Sequence, residues 1–156
     1  MDKKLLIACV CITTAFAWLG CGPSDDGEGN NGEEVDTTRE KMTDGYTYYV
    51  EYQPTPDPIP HNELFTIDVS VWETEAKDTP LTDAAIAVDA TMPAHGHGMN
   101  TEPTITDNED GTFTVEGMKF HMESPTPEEK WVIGVEVTQG ETTETASFDV
   151  MCCDEQ

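Results

Sequence analysis

A strict two-residue alternation of apolar side chains constrains this chain more than any other feature. A period of two can bury one face of a strand but cannot lay a stripe along a helix. Phe65, Ile67, Val69 and Val71 alternate with Thr66, Asp68 and Ser70. The same pattern runs through Tyr46, Tyr48, Val50 and Tyr52, through Ile86, Val88 and Ala90 up to Met92-Pro93, and through Trp131, Ile133, Val135 and Val137. Two further runs, at 104–106 and 112–115, flank Asn108-Glu109-Asp110-Gly111, a hairpin turn by composition. Gln139-Gly140 turns the chain into Ala146, Phe148 and Val150. No stretch sustains a helical period. About seven short antiparallel strands in roughly a hundred residues predict an all-β fold, a single immunoglobulin-like sandwich of two sheets. Pro54, Pro56, Pro58 and Pro60 read as an extended connector between the first two strands, and Pro125 and Pro127 as another before Trp131, because proline cannot donate to a ladder.

The chain ahead of this domain has a different character. Lys3 and Lys4 precede an uncharged apolar run over 5–19, which is too short to span a bilayer comfortably, and Gly20-Cys21-Gly22 follows. This is the pattern of an export signal. Trp18-Leu19-Gly20-Cys21 resembles the bacterial lipobox, so residues 1–20 are expected to be a lipoprotein signal peptide and Cys21 the lipidated first residue. The alternative is a plain secretory peptide cut nearby. Residues 21–45, rich in Gly, Ser, Asn, Asp and Glu, cannot bury enough surface to offset the entropy of ordering them and are expected to act as a flexible acidic linker. The domain is then expected over 46–151, with a short tail at 152–156. Gly22 after the cysteine suggests an outer-membrane location facing the periplasm.

With 7 Lys and Arg against 32 Asp and Glu, and a formal charge of -25, nucleic acid is excluded as a partner class. The acidity is spread along the chain, which suits solubility or salt adaptation; a cationic partner is the alternative. Of five cysteines, Cys9 and Cys11 leave with the signal peptide and Cys21 carries lipid. Cys152 and Cys153 remain. Three fates are open to them: pairing across chains, binding a soft metal, or closing a strained ring with each other.

Met92-Pro93-Ala94-His95-Gly96-His97-Gly98-Met99 is unlike everything around it. If this segment is extended, His95, His97 and Met99 share one side, successive members about 7 Å apart at the backbone, and the glycines let the side chains converge. His121-Met122, in the loop after the strand that begins at Thr112, can reach the same end of a sandwich. Imidazole with thioether suits a copper ion, Cu(I) or Cu(II), since histidine accepts either state and methionine favours Cu(I). Met92 and Met118 read as core residues, and His61 as solvated. The other reading of the same turn is a structural corner whose imidazoles bond backbone carbonyls.

This run resembles the signature of the YtkA-like domain family, related to FixH-type proteins. The resemblance continues through Pro103, Asp110-Gly111-Thr112-Phe113, Val115-Glu116-Gly117-Met118, Phe120-His121-Met122 and Trp131, covering 63–150. Similar elements occur in small domains associated with periplasmic metal-efflux adaptors and copper handling, which implies copper-handling or oxidase-assembly proteins as partners. One departure stands out: residues 123–130 lie between Met122 and Trp131 where the family commonly has a short Met-Pro-Gly-Trp element.

The leading expectation is a non-enzymatic lipoprotein that binds or delivers copper through His95, His97 and Met99, completed by His121 or Met122. The alternative is a structural or interaction module with no metal. The sequence has no G-x-S-x-G elbow, H-E-x-x-H pair or phosphate-cradling loop. A blue-copper centre would need a cysteine close to its other ligands, and the acidic run at 107–111 lacks EF-hand spacing.

Overall fold

The computed structural model describes residues 34–153. The expected signal peptide, Cys21 and the first part of the linker lie outside the described residues.

Among the described residues, nine strands form two antiparallel sheets, and seven of them are the ones read from alternation. These are β2 (Tyr49–Thr55), β3 (Phe65–Trp72), β4 (Ala85–Met92), β6 (Thr104–Asp107), β7 (Thr112–Met118), β8 (Trp131–Gln139) and β9 (Thr142–Val150). The other two, β1 (Glu40–Met42) and β5 (His97–Gly98), are three and two residues long, too short for a period to register. One sheet has the order β1-β2-β3-β7-β6 and the other β5-β4-β8-β9. With β2 as the first immunoglobulin strand, the seven long strands fall into the A-B-E-D and C-F-G sheets of the constant-type sandwich, and β5 is an added short strand beside C.

The inward rows meet as one core. Val50, Ile67, Val69, Val71, Val115, Ile133, Val135, Val137 and Phe148 are fully buried, as are Met92 and Met118. Trp131 and Phe120 are the largest of the fully buried side chains, and both lie at the end of the sandwich that carries the histidines.

The structure corrects three details of the strand reading. Tyr46 does not join its row: it turns the chain in the left-handed region (φ 61) and is 79% exposed, so the buried series begins at Tyr48. Pro54 lies inside β2 rather than in the connector, opposite Ile67. It is tolerated because β1 covers β2 only from Tyr49 to Glu51, so no neighbour on that side asks for its missing N–H. Glu40–Met42, placed in the linker by composition, pairs with β2 and belongs to the sheet. Its register sets Glu40 opposite Glu51, a like-charge pair that Lys77 relieves by reaching both carboxylates, while its ammonium lies over the rings of Tyr49 and Trp72.

Two turns depend on glycine for different reasons. In the β6–β7 turn, Gly111 has φ +86, and an added Cβ would lie 2.8 Å from Pro80 Cβ and 3.0 Å from the Leu81 nitrogen. Gly140, between β8 and β9, has φ +59 and open space around it. Gly111→Ala should therefore lower stability by about 2–3 kcal/mol and Gly140→Ala by about 1 kcal/mol, the first combining backbone strain with a clash and the second strain alone. Denaturant unfolding of the two variants would check the order.

Candidate functional site

The Met92–Met99 segment does not continue as an extended strand. The alternating row of β4 drives Met92 into the core, and Pro93, with its φ already near helical values, opens a 3-10 turn over Pro93–His95. Gly96 closes the turn in the left-handed region at φ 67, its N–H donating to the carbonyls of Met92 and Pro93. The chain then doubles back. His97 and Gly98 pair with Met92 and Thr91, and the Met99 N–H donates to the Ala90 carbonyl at 3.0 Å. His95 and His97 thus lie on either side of a sharp reversal, yet their rings stay close, with centroids 5.9 Å apart. Met99 packs against the core.

The second half of the site comes from the loop after β7. Phe120 anchors it, edge-on to Phe65 at 5.0 Å and stacked on Trp131 at 4.6 Å with planes 5° apart. The Trp131 indole N–H donates to the Met122 carbonyl at 2.9 Å. Held at both points, the loop presents His121 with its ring 5.0 Å from that of His97, and Met122 with its sulfur 3.1 Å from His97 Nε2. His97 and His121 both lie edge-to-face with Trp131, at 5.8 and 5.6 Å.

The proton positions make this cluster unusual. His97 Nδ1 lies 3.1 Å from the Gly98 carbonyl oxygen and Nε2 the same distance from the Met122 sulfur; both partners only accept, and the carbonyl is the stronger acceptor, so the proton of neutral His97 is assigned to Nδ1. Nε2 then carries a lone pair, and it faces a thioether sulfur, which also has no hydrogen to give. Close by, His121 Nδ1 is buried with no hydrogen-bond partner. Two acceptors therefore meet at His97 Nε2 and the Met122 sulfur, beside a second imidazole whose Nδ1 has no partner. Among the described residues no three His, Cys, Asp or Glu side chains gather as a metal-holding group; this cluster draws its third donor from methionine.

The loop over 123–130 adds two carboxylates that the sequence reading did not single out. Glu129, on a second 3-10 turn (Pro127–Glu129), brings Oε1 to 3.3 Å from His95 Nε2. Glu123 lies 3.3 Å from His61 Nδ1, so His61 stands at this same end of the sandwich, beside the loop that carries His121. The sequence holds no local signal for either contact, since the partners are 34 and 62 positions apart. Trp131 was legible as a core residue but not as the wall of the cluster. Cys152 and Cys153 are joined to each other, which is the third of the fates left open by the sequence, and the Ser124 N–H donates to the Cys152 carbonyl.

A small immunoglobulin-like sandwich with a histidine- and methionine-bearing turn at one end is the class of protein these observations define. The family model described as YtkA-like matches residues 40–124, and the chain belongs to that family. The matched span begins at the short strand β1 and ends within the 123–130 loop. Neither the curated proteins nor the solved structures contain a match.

Burial lowers the pKa of His121 below its ordinary 6.5, and the neighbouring His97 and Lys119 push it the same way. The folded chain thus refuses a proton that the unfolded chain accepts. This group's contribution to stability is intact above about pH 6.5 and is lost as pH falls from there towards the lower folded-state value. His121→Gln should flatten the part of the acid decline in melting temperature that begins near pH 6.5, measured against the wild-type chain.

Proposed function

We propose that this protein is a non-enzymatic, membrane-anchored envelope lipoprotein whose YtkA-like domain binds or delivers copper at the end of the sandwich. The observation that carries the reading is the 3.1 Å approach of His97 Nε2 to the Met122 sulfur. Two lone pairs face each other there and repel unless a cation or an extra proton lies between them. The orphaned Nδ1 of His121 supports a cation, as does the donor chemistry: imidazole nitrogens with a thioether suit copper rather than a hard ion such as calcium or magnesium. On this reading His97, His121 and Met122 hold the ion, His95 stands next to them, and Met99 supports the turn from the core side. Copper is cargo here, and the residues' task is to bind and release it. Because protonated imidazole cannot coordinate, affinity declines with acidification.

A second reading is favoured by the His95–Glu129 and His61–Glu123 contacts, which can serve simply to tie loops together in an interaction module. The two readings part on one experiment. The full chain, purified in detergent, is loaded with Cu(I) and separately with Cu(II), beside His97→Ala, Met122→Leu and the His95→Ala/His97→Ala double variant. Copper binding predicts at least about tenfold weaker Cu(I) affinity for His97→Ala and Met122→Leu, a difference of about 1.4 kcal/mol. Equal metal content in every variant, with a lowered melting temperature for the histidine changes, would assign the turn to structure instead.

The anchor is tested separately. Cys21→Ser should move the protein from the membrane fraction to the soluble envelope fraction; retention in the membrane would remove the lipid from the proposal.

A further inference from the structure

Glu129 adds something that the copper reading does not. The cluster has an inner part, made of His97 Nε2, the Met122 sulfur and the His121 ring, and an outer imidazole, His95, whose Nε2 lies 3.3 Å from the Glu129 carboxylate. Both partners of this outer contact are about one-third exposed, and each sits on its own 3-10 turn. The inner set suits Cu(I), a d10 ion that demands no tetragonal geometry and accepts a thioether readily. Cu(II) favours tetragonal nitrogen and oxygen donors, and two imidazoles with one sulfur fall short of that. The nearest further nitrogen donor is His95, whose ring lies 5.9 Å from that of His97. Recruiting it through Nε2 means first breaking its contact with Glu129.

We infer that Glu129 is a specificity-determining residue: by holding His95 Nε2, it leaves the site complete for Cu(I) and one nitrogen short for Cu(II). The inference rests on the copper reading above. Glu129 does not touch the ion; it acts through His95. Thr126 Oγ1 lies 3.3 Å from the other Glu129 oxygen and helps fix the carboxylate on its turn, so the restraint comes from the 123–130 loop.

The test compares wild type, Glu129→Gln, His95→Ala and the double variant, all as the full chain in detergent. Cu(I) affinity is measured anaerobically against a chromophoric Cu(I) chelator, and Cu(II) affinity against an amino-acid competitor. Glu129→Gln should tighten Cu(II) by about fivefold, the upper scale of a part-exposed ion pair, with Cu(I) affinity within about twofold of wild type. The gain should vanish in the His95→Ala background, as a double-mutant cycle requires. The unchanged Cu(I) affinity shows at the same time that each variant is folded. Weaker Cu(II) binding by Glu129→Gln would make Glu129 a ligand and overturn the inference, as would equal shifts for both ions or no shift for either. A wild-type chain that binds no Cu(I) would instead fail the copper reading itself, and the role of Glu129 with it.

Discussion

The stack of Trp131 on Phe120 is the contact on which the functional end of this molecule depends. Trp131 opens β8 in one sheet, and Phe120 lies just past β7 of the other, so their fully buried rings join the two layers where the loops emerge. Aromatic pairs of this kind add about 0.5–1.5 kcal/mol beyond the area they bury. The indole N–H contributes more than packing, because it satisfies the carbonyl of Met122 and so fixes the residue whose sulfur meets His97. A phenylalanine at 131 would keep much of the apolar contact and lose that tether.

Around this joint the site is assembled from backbone devices rather than from a rigid ligand cage. Proline, a 3-10 turn and a left-handed glycine reverse the chain after β4, and two residues of β5 pin it back on the strand it left. The result places one histidine inside the cluster and one at its rim. The rim histidine meets a carboxylate from the 123–130 loop, in which the family match ends. A small sandwich can vary such a loop without disturbing its core, because the β8 row behind it is fixed by pairing with β4 and β9.

The charge of the chain has local consequences that its net value hides. Among the described residues, three of the few cations are placed where carboxylates crowd: Lys77 between Glu40 and Glu51, Arg39 against Asp57, Lys130 against Asp149. Exposed pairs of this kind contribute little to stability individually. Their effect is on register, since Lys77 permits β1 and β2 to pair with two glutamates face to face.

Alternation in the sequence determined that the chain is a two-sheet sandwich, because a period of two is a property of neighbouring residues and survives without any knowledge of the partner strand. The same local logic identified Met92 and Met118 as core residues and marked the histidine-rich run as the place to look. It could not reach β1 or β5, which exist only through their pairing partners, nor the exposure of Tyr46, which a turn decides. The composition of the cluster was decided only in three dimensions. Alternation predicted that His95, His97 and Met99 would share a side, whereas the reversal at Gly96 puts Met99 against the core and aligns His97 with Met122 from a loop 25 positions away. Glu129 and His61 enter by the same route. Which donors meet depends on how two sheets stack and where their loops emerge, and contacts across such separations leave no periodic trace in the chain.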